Sequence, residues 1–181
     1  MRITTGQYRN RKIYFPRGIR PTQDKVRKAI FDILGDISGL SFLELCAGSG
    51  AVGFEALSRG IGELTFVESN HSAILAIKRN IELLKASSCN LYYLDVHKAV
   101  KLLAQDKKRF DIIFFDPPYH EDMAKKILQT LEGYDILAPN GLIIAQHSKA
   151  ELLLKDNLKF SLIKEAKYGD TWLSIFSHAK A

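Results

Sequence analysis

Residues 41–53 read SFLELCAGSGAVG, and this stretch decides the fold. An apolar run of strand length passes directly into Gly48, Gly50 and Gly53, a G-x-G-x-x-G spacing, and then into a helix that carries Phe54, Leu57 and Ser58. Glycines here permit a tight turn and let a ligand approach the backbone closely. The next apolar run, ELTFVE, ends on Glu68, 20 positions after Gly48, about where an acidic side chain can hydrogen-bond a ribose hydroxyl. A bare strand-to-helix turn also uses glycine. Strand, glycines, helix, strand and terminal acid in that order point instead to a nucleoside cofactor, and leave open whether it is a dinucleotide or S-adenosylmethionine.

Outward from this unit the same alternation continues. SFLELC, ELTFVE, NLYYL, FDIIFF and GLIIAQ are each followed by a helical pattern, the signature of βαβ units in a parallel sheet covered on both faces. LKFSLIKEAKY and TWLSIF then face each other across Gly169-Asp170 with no room for a helix, which reads as an antiparallel hairpin closing one end of the sheet. Upstream, Val26, Ala29, Ile30, Ile33 and Leu34 recur at helical spacing, with Thr22 as the expected N-cap and Gly35 as the stop. Before that helix, RIT and RKIYF flank the polar GQYRN and predict a β-hairpin arm. The expected architecture is a seven-stranded, mostly parallel α/β sheet in a single domain over 1–181, with an arm at 1–20 and a body at 21–181. In such a doubly wound fold ligands bind beyond the carboxyl ends of the strands.

A chain of 181 residues with 46% hydrophobic and 25% charged residues is long and apolar enough to bury a core. No run approaches the roughly 20 apolar residues of a membrane span, and MRITTGQYRNRK lacks the apolar centre of a secretory signal, so a cytoplasmic location is expected. Cys46 and Cys89 lie far apart and outside any metal-ligand spacing, so free thiols and no structural metal are expected. The net charge of +6 becomes informative once it is located: the first 28 residues hold nine basic side chains against Asp24 alone. A basic segment can be no more than a solvated arm. The sharper reading is a phosphate-binding surface, with Tyr8, Tyr14 and Phe15 interleaved among the cations.

The fourth strand separates the two cofactor classes. FDIIFF ends in Asp116-Pro117-Pro118-Tyr119, where two prolines fix φ and remove two N–H donors, leaving carbonyl acceptors and one carboxylate. The plainer reading is a loop cap with an N-cap aspartate. An exocyclic amine attacking a methyl sulfonium, however, needs such a turn: its lone pair is delocalised into the ring, and hydrogen bonds from N–H to acceptors draw the nitrogen towards tetrahedral geometry. Tyr119 would stack on the base.

LELCAGSGAVGFEALSRG, the acidic end of FVE, Asp95 after the third strand and DPPY resemble the motifs of class I S-adenosylmethionine-dependent amino-methyltransferases, a Rossmann-like fold. RITTGQYRNRK and IRPTQDKVRKAIFDIL resemble specifically the RsmD-like 16S ribosomal RNA guanine-N2 methyltransferase family, and the match covers nearly the whole chain. The resemblance implies that the turn from Cys46 and Ala47 through Gly48 and Ser49 to Gly50 holds the methionine part of the cofactor, Glu68 the ribose, and Asp95 with Val96 the adenine. It implies that Asp116, Pro117 and Tyr119 hold the target base, and that the substrate is 16S ribosomal RNA in an assembling or assembled small subunit. Arg2, Arg9, Arg11, Lys12, Arg17 and Arg20 are then the expected RNA contacts. The chain departs from the family at Asn10, where an R-G-R run usually has glycine, which bears on the geometry of the arm.

The remaining conspicuous residues take plainer readings. Cys46 lines the turn rather than acting as nucleophile, since amine attack needs no covalent enzyme intermediate. His120 reads as a solvated helix start, and Trp172 as core. Competing functions are a nicotinamide-dependent oxidoreductase, which has no use for DPPY, and a non-catalytic RNA-binding module, which has no use for the cofactor motifs. DNA adenine or protein glutamine would suit DPPY as well as guanine does. A monomer is the expected state.

Overall fold

A computed structural model describes residues 1–16, 18, 22–118, 122–151, 153 and 159–179. Each apolar run forms the predicted strand, and the segments of helical spacing before β1 and between β1 and β5 form helices: α1 (Asp24–Leu34), β1 (Ser41–Leu45), α2 (Ala51–Ser58), β2 (Glu63–Glu68), α3 (His71–Leu84), β3 (Cys89–Tyr93), α4 (Val96–Gln105), β4 (Phe110–Phe115), α5 (Met123–Gly133), β5 (Leu137–Ser148), β6 (Phe160–Tyr168) and β7 (Thr171–His178). The strands make one seven-stranded sheet in the order β3-β2-β1-β4-β5-β7-β6. β1 to β5 are parallel, and β7 runs antiparallel between β5 and β6. The order reverses at β1, whose neighbours β2 and β4 are reached in opposite directions, so the carboxyl ends of β1, β2 and β4 frame the switch point where ligands bind in such sheets.

The apolar positions divide between the two faces. Ile3 and Ile13 of the arm, with Val26 and Ile30 of α1, Phe54 of α2 and Ile77 of α3, belong to one buried cluster; Val100 of α4, Ile127 and Leu131 of α5 and Phe115 of β4 belong to the other. Burying both faces explains why β1 and β4 read as continuous apolar runs rather than alternating ones. No described helix is long and apolar enough to cross a membrane.

Three expectations need adjustment. Helix α1 begins at Asp24 with Gln23 at the cap position and no side-chain cap; the Thr22 hydroxyl is spent elsewhere. Its end is as read, with Gly35 at φ 69° donating to the Phe31 carbonyl. The arm is antiparallel, with Ile3 N–H to Arg11 O at 3.1 Å and Ile13 N–H to Met1 O at 3.1 Å, but it pairs as one bridge, Arg2 with Lys12, and not as two strands. The reason is competition: the N–H groups of Thr4 and Thr5 turn to the Glu55 carboxylate and those of Gln7 and Tyr8 to Ser58, all on α2. Trp172 is half-buried rather than core, with the Lys167 ammonium 3.9 Å from its ring centre. The helix expected after GLIIAQ falls mostly on residues 149–158, most of which lie outside the described residues, as do Arg17, Arg20, Tyr119 and His120.

Asn10 replaces the family's glycine at φ 67°, a left-handed conformation that asparagine tolerates better than most side chains. Its N–H donates to Ile3 O at 2.9 Å, which closes the turn of the arm.

Candidate active site

The turn after β1 is left-handed at Cys46 (φ 54°), Gly48 (φ 55°) and Gly50 (φ 74°), an arrangement that carries the chain sharply from β1 into α2. Two buried carboxyls brace it. Glu68, at the end of β2, accepts from Gly48 N–H at 2.7 Å with one oxygen and from Ser69 and Asn70 N–H at 2.8 Å each with the other. Glu44, within β1, accepts from Gly53 N–H at 2.7 Å, and a Cβ on Gly53 would lie 2.6 Å from the same oxygen, so glycine is required there by the approach of this carboxyl. Glu68 thus holds the turn in addition to facing the space above it.

That space is a cavity of about 680 Å³ at the strand ends, within the ordinary range for small-molecule sites. Cys46, Gly48, Glu68, Asp95, Val96, Asp116 and Pro117, seven of the residues expected to contact cofactor or target base, line it. Ala47 and Ser49 turn instead to a smaller hollow of about 60 Å³, shared with Phe15, Thr22, Glu44 and Asp116. Gly50 lines neither; its place is set by packing, since a Cβ would lie 2.8 Å from the Phe54 ring. Asp95 caps α4, its side chain accepting from His97 N–H at 2.9 Å. Tyr119, the expected stacking partner, lies outside the described residues.

Three carboxyls, from Glu68, Asp95 and Asp116, border one cavity, and Glu44 lies beneath the turn. Burial pushes the Glu44 carboxyl up to about 8 against the hydrogen bonds from Gly53 and Val52 N–H, with Asp116 and Glu68 adding to the rise. Glu44 is therefore mostly protonated at neutral pH. Burial, with the carboxylates of Glu68, Asp116 and Asp95, pushes the Cys46 thiol up to about 12, which rules it out as a thiolate nucleophile in this setting. Among the described residues no group of His, Cys, Asp and Glu could hold a metal ion.

The site also contains residues that pattern reading passed over. Gln23 and Val26 from the start of α1, Gln146 from β5 and Thr171 from β7 line the main cavity. None carries a local motif; only the spatial order of the strands brings them together. The most informative is Thr22, whose hydroxyl donates to Asp116 Oδ2 at 3.0 Å.

On the arm, Arg2, Arg9, Arg11 and Lys12 are exposed. Arg2 donates to Asn10 O at 2.7 Å, and the Arg11 guanidinium lies 5.9 Å from the Tyr8 ring centre. Arg27, counted by composition among the basic residues, is 1% exposed and ion-paired to Asp24 and Glu55, so it belongs to the core and not to a phosphate surface. Arg79 of α3, outside the basic N-terminal stretch, stacks on Tyr14 with its carbon 3.2 Å from the ring centre and extends the exposed cationic face.

Comparison with known proteins agrees with this geometry. A family model described as conserved hypothetical protein 95 matches residues 1–177. The ribosomal RNA small subunit methyltransferase D of Haemophilus influenzae is 34% identical over 177 residues, covering 93% of this chain and 89% of that protein. Its namesake in Escherichia coli K12 is 34% identical over 149 residues, covering 81% and 74%. A solved structure of a hypothetical protein from Thermus thermophilus superposes with a TM-score of 0.85 at 30% identity over 99% of both chains. Matched by the family model over residues 1–177 and 34% identical to a relative along most of both chains, the chain belongs to the conserved hypothetical protein 95 family, that of the ribosomal RNA small subunit methyltransferases D.

Proposed function

We propose that this protein transfers a methyl group from S-adenosylmethionine to the exocyclic N2 amine of a guanine in 16S ribosomal RNA, acting in the cytoplasm as a monomer on an assembling or assembled small ribosomal subunit. The observation that carries the reading is that Asp116 and Pro117 open onto the same cavity as Gly48, Glu68 and Asp95, so that an acceptor turn and a nucleoside site share one space. The relatives' names supply the ribosomal RNA, and the resemblance of the motifs supplies the guanine amine.

The residues fit the cofactor. The acid-bordered cavity suits a ligand bearing a sulfonium and an ammonium charge, Glu68 and Asp95 offer carboxylates to the nucleoside end, and Val96 offers an apolar surface to the adenine. When bound, S-adenosylmethionine supplies an electrophilic methyl group. The protein's own part is to present the amine. Asp116 accepts an N–H of the amine and takes the proton that the nitrogen sheds, while Pro117, lacking an N–H, contributes no competing donor. A ring edge inside a duplex cannot reach a cavity at the strand ends, so the guanine enters unpaired or flipped. Arg2, Arg9, Arg11, Lys12, Arg17 and Arg20 hold the surrounding phosphates.

The test is transfer of tritiated methyl to small subunits prepared from cells lacking this activity, followed by nucleoside analysis. The expected product is N2-methylguanosine, and Asp116→Ala should lower the single-turnover rate by about a hundredfold or more with affinity for S-adenosylhomocysteine unchanged. Label in another nucleoside, or in no RNA at all, overturns the reading.

A further inference from the structure

The N-terminal segment touches the reaction centre itself. Between the arm and α1, Thr22 sits one residue outside the helix cap, and α1 starts without a side-chain cap. The hydroxyl that would ordinarily satisfy a helix N–H donates instead to Asp116 Oδ2 at 3.0 Å, across 94 positions of sequence. Thr22 lies outside the N-cap position, so its hydroxyl serves Asp116 and not the helix end. Thr22 and Phe15 also line the small hollow bordered by Glu44, Ala47 and Ser49.

The arm is anchored to the same neighbourhood from a second direction. Asn80 of α3, 0% exposed, accepts from Tyr14 N–H at 2.6 Å and donates both to Tyr14 O at 3.1 Å and to Ser49 O at 3.2 Å. A single amide therefore ties the arm to the turn beside the cofactor cavity, and Thr22 ties the start of α1 to the acceptor turn. Asp116, a short side chain at a strand end, has two torsions to settle, and its value as an acceptor depends on one orientation.

Resting on the methyltransferase reading above, we propose that Thr22 is a positioning residue: its hydroxyl holds Asp116 Oδ2 so that the carboxylate faces the incoming amine. The N-terminal segment thereby completes the acceptor turn as well as carrying the RNA-binding cations. Thr22 itself touches neither amine nor methyl donor in this role, and it acts through the orientation of Asp116.

Thr22→Val keeps the shape and removes the hydroxyl, and Thr22→Ser keeps the hydroxyl. In single-turnover transfer to small subunits, Thr22→Val should be slower by roughly ten- to a hundredfold at saturating RNA, with KM for RNA and affinity for S-adenosylhomocysteine unchanged. Thr22→Ser should recover most of the rate. In the free protein, the carboxyl carbon resonance of Asp116, assigned by its loss in Asp116→Asn, should move in Thr22→Val and stay in Thr22→Ser. Equal rates in wild type and Thr22→Val, equal defects in Val and Ser, or an unmoved resonance each overturn the positioning role. A wild-type protein that labels no RNA overturns the ribosomal reading instead, so the two failures are told apart.

Discussion

Glu55→Gln is the substitution that best tests how the arm is held. The Glu55 side chain is 1% exposed, and its Oε1 accepts from Thr4 Oγ1 at 2.7 Å, Thr5 Oγ1 at 2.7 Å and Thr5 N–H at 3.0 Å. Oε2 accepts from Thr4 N–H at 2.8 Å and lies 3.6 Å from Arg27 Nε. A glutamine amide can replace only one of these oxygens as an acceptor. In its better orientation the NH2 faces Thr4 N–H and Arg27, donor against donor, and one charge-assisted hydrogen bond worth about 1.5–3 kcal/mol is lost. Arg27 is then left buried with Asp24 as its remaining carboxylate partner, and breaking a buried ion pair typically costs about 3–5 kcal/mol. The two losses share the same atoms and do not add, so about 3–5 kcal/mol is the expected total. For a chain of this length that corresponds to a fall in Tm of roughly 6–20 °C.

Thermal melts with amide exchange separate global from local loss. If the arm lifts while the body stays folded, the amides of Asn10 and Ile13, which donate to Ile3 O and Met1 O, lose protection first. The effect also has a pH signature. Burial pushes the Glu55 carboxyl up, but hydrogen bonds from Thr4 and Thr5 and the Arg27 charge outweigh it and hold the pKa below the usual carboxylate range. The folded value is depressed, so the contribution is complete above the unfolded value of about 4.3 and is lost as pH falls through the folded one. A Glu55→Gln protein with Tm within about 1 °C of wild type and full protection of the arm amides would refute the reasoning.

Glu44 has the opposite sign: its carboxyl is raised to about 8, so the folded state keeps a proton that the unfolded chain has lost, and stability should decline from about pH 4.5 to about pH 8. Glu44→Gln should flatten that decline in urea melts across the same interval, and an unchanged slope would mean that Glu44 is ionised in the folded protein. Replacing Arg9, Arg11 and Lys12 together by alanine should reduce the salt dependence of RNA affinity by roughly 0.7–0.9 log units for each phosphate that the arm no longer neutralises, with cofactor affinity unchanged. Identical slopes in wild type and variant would move the RNA surface away from the arm.

Much of this protein is determined locally and is therefore legible in its sequence. Strands buried on both faces must be apolar throughout, amphipathic helices must repeat their apolar positions, and the two-residue turn at Gly169 and Asp170 sets Tyr168 opposite Thr171; hence the seven strands, helices α1 to α5 and the terminal hairpin could be read directly. That the glycine turn, Glu68 and the Asp116-Pro117 turn would meet at one cavity was legible for the same reason, because each stands at or just beyond the carboxyl end of a strand. Only the tertiary structure decided where side chains with several available partners would go. Thr22 is as suitable for capping α1 as for bonding Asp116, and the choice depends on β4 ending beside it. Arg27 has the same charge as Arg9 and Arg11, but it sits on the inward face of α1 next to Glu55 and becomes part of the core. The arm's peptide groups could have paired with each other along its length, and they divide between that ladder and α2 because Glu55 and Ser58 offer acceptors where Thr4 to Tyr8 pass over them. Hydrogen bonds and ion pairs between distant segments leave no periodic trace, since the partner's position is set by the packing of the whole sheet.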